Sequence, residues 1–115
     1  LSIHIHAENN NNFVDKQFLE MCKDDLLIIN TSRGEVIDEN ALISHMKKNK
    51  RFGYAADVIK DEILLRNESP IIKALNEESI SSRLLITPHI GGMSEGARKT
   101  AYNRAIELLI DYAGK

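Results

Sequence analysis

Apolar and polar positions along this chain follow two periods, and their alternation predicts an architecture. Leu1-Ser2-Ile3-His4-Ile5 switches at every residue, as a short strand does. Leu26-Leu27-Ile28-Ile29 is a continuous apolar run, the pattern of a strand covered on both faces of a parallel sheet. Phe52-Gly53-Tyr54-Ala55-Ala56 reads as a third strand, with Gly53 and the alanines leaving room for a close helix. Leu84-Leu85-Ile86 reads as a short fourth. Between the strands the period lengthens. Asp15 is placed to cap a helix carrying Phe18, Leu19 and Cys22. Asp38 is placed to cap another, with Ala41, Leu42, His45 and Met46 at helical spacing. Ser69-Pro70 can open a short helix through Ile71, Ile72 and Leu75, because proline suits the first helical position. From Ser94, residues Ala97, Ala101, Ala105, Leu108, Leu109 and Tyr112 mark a long amphipathic helix whose small residues predict close contact with a neighbour.

The order is strand, helix, strand, helix, strand, short helix, strand, long helix. It predicts an α/β fold with a parallel sheet, flanking helices and right-handed crossovers. A chain of 115 residues fits one domain with a modest core. Its 15 basic and 17 acidic residues leave a net charge of −2, which gives no nucleic-acid footprint. The basic cluster Lys47-Lys48-Asn49-Lys50-Arg51 reads as a solvated helix C-terminus favoured by the dipole. No apolar stretch approaches the roughly 18 residues of a membrane span, and no signal peptide is visible. The single cysteine, Cys22, excludes an internal disulfide and fits a reducing compartment, with a packing role beside Leu19 and Met21. The chain opens at Leu1 inside a predicted strand, so a piece of something longer is expected.

Four polar residues fall just past predicted strand ends, where open α/β sheets deliver side chains to a ligand crevice. Arg33 follows the Leu26–Ile29 run, and a guanidinium can grip a carboxylate through two parallel hydrogen bonds. Gly34 behind it permits a tight turn or a close ligand. Asp57 ends the third strand and can accept from a ligand amide; Glu62 lies five residues on. His89 follows Pro88, and histidine is the usual proton donor or acceptor near neutral pH. Gly91-Gly92 beyond it can expose backbone N–H groups to an anion or cofactor. A carboxylate on the second ring nitrogen would orient the imidazole, and Glu62 is the candidate. Taken singly, each has an ordinary reading: a surface ion pair for Arg33, a turn cap for Asp57, solvated surface for Glu62, a structural histidine for His89. His4 and His6 share a strand face but find no third ligand, so no metal site is expected, and His45 reads as a half-buried helix residue. The six glycines form neither a G-x-G-x-x-G turn nor a P-loop.

In this order the segments resemble the D-isomer-specific 2-hydroxyacid dehydrogenases. Asn30-Thr31-Ser32-Arg33-Gly34 with Val36-Ile37-Asp38-Glu39-Asn40-Ala41-Leu42 is similar to the family's arginine motif and following helix. Asp57-Val58 with Glu62 resembles its aspartate and glutamate segment, and Thr87-Pro88-His89-Ile90-Gly91-Gly92 its histidine motif. The resemblance implies the C-terminal half of a doubly wound Rossmann-like NAD-binding domain, spanning residues 1–115. By it, Arg33 binds the substrate carboxylate and carbonyl. His89 moves the proton, Glu62 holds His89 in its working tautomer, and a nicotinamide ring exchanges hydride. Thr31, Ser32, Arg33, Asp57, His89, Gly91 and Gly92 would meet that ring.

The cofactor implied is NAD, with NADP also compatible. The substrate implied is a small 2-hydroxy or 2-oxo acid, and the parent protein a cytoplasmic homodimer. The resemblance also implies that the glycine-rich turn and the substrate domain lie outside this chain, that helix 94–113 leads back toward that domain, and that this piece alone is inactive. Several positions depart from the family: His6 stands where a proline is usual, Glu8 near a usual threonine, Ile63 where proline follows the glutamate, and Ile63–Arg83 is long. Two other classes fit the same pattern, a non-catalytic corepressor-like binding protein and a half-domain that assembles with another chain.

Overall fold

The computed structural model describes residues 1–65 and 68–114. Strands β1 (Ser2–Ile3), β2 (Leu27–Asn30), β3 (Gly53–Ala56) and β4 (Leu84–Ile86) form one parallel sheet in that order. The helices are α1 (Lys16–Glu20), α2 (Glu39–Lys48), α3 (Glu62–Leu65), α4 (Pro70–Ala74) and α5 (Glu95–Ala113). Spatial order equal to chain order means that each crossover runs the same way, which gathers its helix on the same face. Ile28, Tyr54 and Leu84 stand in one register row, and Ile3 and Ala56 in the next. All five are buried in one core with Leu19, Leu42, Met46, Ile71 and Ala74 from the helices. Each fully buried large side chain, such as Ile28, Leu42 or Phe52, contributes roughly 1.5–3 kcal/mol.

The opposite face departs from expectation. Ser2, Ile29, Ala55 and Leu85 form its central row. Leu27, Ile29 and Leu85 are 49%, 38% and 63% exposed. The apolar run of β2 was expected to be covered on both sides, but no described helix lies over this face. Gly53 is also on it, and a Cβ there would touch Leu27 Cδ1 at 3.2 Å rather than a helix.

The predicted caps form. Asp15 accepts from Phe18 N at 2.8 Å and Asp38 from Ala41 N at 3.0 Å; Ser94, expected only as the start of the last helix, caps it as well, its Oγ accepting from Ala97 N at 3.2 Å. Pro70 occupies the first turn of α4. Helix α1 stops at Glu20, so Cys22 lies in the turn beyond it, and burial pushes its thiol pKa up. The C-terminus of α2 is closed by Arg83 from across the fold, whose guanidinium donates to the carbonyls of Met46, Asn49, Phe52 and Ser79 at 2.6–3.0 Å. The bonds to Met46 and Asn49 satisfy carbonyls that a helix end leaves without partners.

Two further expectations are corrected. Between β3 and β4 the sequence order placed one short helix, but two form, α3 ahead of α4, and Arg66 and Asn67 between them lie outside the described residues. Helix α5 forms as predicted, but all its residues are exposed. Its alanines therefore meet no neighbour among the described residues. No described helix is long and apolar enough to cross a membrane.

Candidate active site

The carboxyl ends of β2, β3 and β4 carry the polar residues singled out above. At the end of β2, the fully buried Asn30 side chain accepts from Ser32 N at 3.0 Å and Ser32 Oγ at 2.8 Å, and donates to Arg33 O at 2.9 Å. A side chain that bonds its own following backbone makes a tight turn. That turn turns the chain sharply and leaves Arg33 exposed. The next residue, Gly34, is buried against the backbone of the neighbouring segment. A Cβ there would lie 2.0 Å from Ile59 C and 2.3 Å from Lys60 N. Only glycine fits.

Asp57 leaves β3 and is the hub of the histidine loop. Its Oδ1 accepts from Thr87 Oγ1 at 2.5 Å and Ile90 N at 2.9 Å, and its Oδ2 from Gly91 N at 2.7 Å. The Thr87 hydroxyl above all, with the two backbone amides and nearby His89, holds this carboxyl below the ordinary aspartate range against an opposing desolvation. The N–H of Gly91, expected to face a ligand, is therefore bound to Asp57. A Cβ on Gly91 would approach Asp57 Oδ2 to 2.9 Å, whereas one on Gly92 would meet nothing within 4 Å.

His89 and Glu62 come together as the sequence suggested. Nδ1 of His89 lies 2.6 Å from Glu62 Oε1, with the side chains 52% and 35% exposed. A carboxylate in its ionised form only accepts, so this contact favours the tautomer with the proton on Nδ1 and leaves Nε2 without its proton. His89 has φ 55°, and Asp61, just before Glu62, has φ 51°. Both are left-handed positions that non-glycine residues seldom occupy and that concentrate at functional sites.

A groove of about 410 Å³ runs from Arg33 and Gly34 past Ile59 and Asp61 to Glu62 and His89. On the other side of the pair lies an apolar cavity of about 510 Å³, lined by Ile59, Ile63, Ile72, Leu75, Ile86 and Pro88 among others. A smaller one, about 210 Å³, lies among His4, Ile5, His6, Ser32 and Arg33. His4 Nε2 pairs with Ser2 Oγ at 2.7 Å, and no group of three metal-ligating side chains occurs among the described residues. Asn30 and Thr87 were quoted within motifs without their roles, which are to shape the arginine turn and to clamp Asp57. Glu39, buried at the start of α2, carried no signal beyond an acid next to a helix cap.

Residues 1–91 match the family described as D-isomer specific 2-hydroxyacid dehydrogenase, NAD binding domain. A putative D-3-phosphoglycerate dehydrogenase of Schizosaccharomyces pombe is 35% identical over 114 residues, which cover 94% of this chain and 24% of the relative. D-3-phosphoglycerate dehydrogenase 1 of Saccharomyces cerevisiae is 40% identical over 88 residues, 73% of this chain and 19% of the relative. The crystal structure of phosphoglycerate oxidoreductase from Vibrio cholerae O395 superimposes with a TM-score of 0.69 at 30% identity, over 99% of this chain and 34% of that one. The chain thus spans about a third of the length of these relatives, or less.

Proposed function

This chain belongs to the NAD-binding domain family of the D-isomer specific 2-hydroxyacid dehydrogenases, and from that premise we propose that it carries the acid–base side of a site interconverting a D-2-hydroxy acid and its 2-oxo acid. The observation that supports this most is the single groove shared by Arg33 and the Glu62–His89 pair. Arg33 binds the substrate carboxylate and its carbonyl or hydroxyl oxygen, because its charge is permanent and its donors are planar and paired. Nε2 of His89 donates a proton to the carbonyl oxygen in reduction and removes it from the hydroxyl in oxidation. Glu62 keeps the proton on Nδ1 and stabilises the imidazolium that forms.

The donors present fit the nicotinamide end of an NAD-type cofactor. Asp57 Oδ1 is engaged by two donors, but Oδ2 takes only one and keeps an acceptor site for a carboxamide N–H. Thr31, Ser32 and Gly92 surround the same strand ends, and Gly92 leaves open space. The cofactor, when bound, supplies or takes up the hydride. Its phosphates have no G-x-G-x-x-G turn to meet among these 115 residues, so their site belongs to other residues of the full-length protein. The substrate domain does too, and α5, exposed along its length, is the connection toward it. These 115 residues alone are inactive, and the full-length protein is a cytoplasmic homodimer. NAD and NADP both remain compatible with the residues of this chain.

Steady-state oxidation of NADH and NADPH by the full-length protein, against a panel of 2-oxo acids, tests the reading. Turnover that His89→Asn abolishes is expected; turnover unchanged in His89→Asn, or absent with every oxo acid, overturns it.

A further inference from the structure

Glu39 is the only buried carboxylate among the described residues, 7% exposed at the first position of α2, and it takes no part in the chemistry described above. A carboxylate removed from water is costly unless hydrogen bonds replace the lost hydration. Glu39 has three. Its Oε1 accepts from Lys60 N at 3.0 Å, and its Oε2 from Ser69 Oγ at 2.9 Å and from Ile71 N at 3.4 Å. Ser69 is itself fully buried.

The placement of these donors gives the bonds a consequence. Lys60 stands two residues before Glu62, while Ser69 and Ile71 stand beyond α3. Glu39 therefore ties down both ends of the segment that holds Glu62 against His89. The Ile59–Lys60 peptide is fixed twice, by the hydrogen bond to Glu39 and by Gly34, whose missing Cβ admits it. From that fixed peptide the left-handed Asp61 turns the chain so that Glu62 Oε1 reaches His89 Nδ1.

We infer that Glu39 is a positioning residue: its buried carboxylate sets the Glu62 segment so that Glu62 fixes the tautomer of His89. The inference rests on reading Glu62–His89 as the acid–base pair, but its consequence for ring tautomer can be measured without turnover. Gln in place of Glu39 keeps its oxygen as the acceptor for Lys60 N and can donate its amide to the Ser69 hydroxyl, losing only the long bond from Ile71 N, so it preserves most of the effect. Ala removes all three bonds.

Long-range 1H–15N correlation of the full-length protein reports which nitrogen of the neutral His89 ring carries the proton. The wild type should give the Nδ1–H form, Glu39→Gln nearly the same, and Glu39→Ala the ordinary mixture of tautomers. In parallel, kcat should fall about tenfold or more in Glu39→Ala, with KM for the cofactor within about twofold. A Glu39→Ala protein that keeps the Nδ1–H form overturns the inference. Should that variant fail to fold, Ser69→Ala, which removes one donor, should partly mix the tautomers, and an unchanged ring there overturns it equally. A tautomer that follows Glu39 in a protein whose turnover ignores His89 would leave the positioning role standing and remove the acid–base reading.

Discussion

His89 Nδ1 and Glu62 Oε1 lie 2.6 Å apart, although the two residues belong to loops 27 positions apart and each loop needs a left-handed residue to reach the other. The pair is too exposed to add much stability, since ion pairs in water contribute about 1 kcal/mol or less. On the proposed reading its value is orientation. Glu62→Gln should therefore leave the melting temperature of the full-length protein almost unchanged while lowering kcat by about 10²-fold, in the range of acid–base contributions. KM should move little. Steady-state kinetics beside a thermal melt separates the two effects, and a parallel loss of both would assign Glu62 to folding instead.

Asp57 titrates in a way that couples the histidine loop to pH. Its folded-state pKa lies below the usual unfolded value of about 3.9, chiefly through the Thr87 hydroxyl. The unfolded chain therefore takes up the proton first as pH falls. The contribution is complete above about pH 4 and is lost as pH drops through the folded value. Asp57→Asn should cost about 1 kcal/mol at pH 7, the low end for bonds to a charged group because the site is half-exposed. Urea unfolding at pH 7, 5 and 3 should find the gap between wild type and variant shrinking only at the lowest pH.

How far the site could be read in the sequence follows from which forces are local. Asp15 and Asp38 cap their helices as expected because a cap bonds residues two or three positions away. Arg33, Glu62 and His89 were legible because each follows a strand end, and parallel strands bring those ends to one edge. The role of Arg83 was not. Its four carbonyl partners lie up to 37 residues away and leave no periodic trace. Glu39 was hidden for the same reason, since nothing beside it indicates that Ser69 and Ile71 will arrive overhead. The open face of the sheet was misread because a continuous apolar run announces a cover without saying whether that cover lies in these residues.

Gly34 is a steric prediction. An added methyl group would sit 2.0 Å from Ile59 C, and the obstacle is backbone rather than a flexible side chain. Gly34→Ala should destabilise by at least the 1–3 kcal/mol typical of overpacking, approximately, and should displace the Ile59–Lys60 peptide. Urea midpoints measure the first effect. The second should appear as a kcat loss that persists in conditions where the variant is fully folded.

His45 gives the fold a second pH dependence, far from the site. Its ring packs edge-on to Phe52 with centroids 4.6 Å apart, and burial lowers its pKa despite the opposing charges of Asp24 and Glu20. With the folded value below an unfolded value of about 6.5, stability is complete above that pH and declines as pH falls toward the folded value. His45→Leu should flatten the slope of unfolding free energy below about pH 6.5. An unchanged slope would place that titration elsewhere.

Leu27, Ile29 and Leu85 set up a comparison between two lengths of the same protein. In these 115 residues they lie open on one face of a parallel sheet, and parallel sheets ordinarily bury both. The Schizosaccharomyces pombe relative is about four times longer, and in a protein of that length residues outside these 115 can cover the face. Leu27→Ser and Leu85→Ser should then cost under about 0.5 kcal/mol in the 115-residue chain, as surface changes do. In the full-length protein each should cost roughly 1.5–3 kcal/mol, the worth of a buried leucine side chain. Chemical denaturation of both lengths decides it. Equal small costs in the two would mean that the face stays open to solvent even in the longer protein, and equal large ones that the short chain covers it by pairing with a second copy.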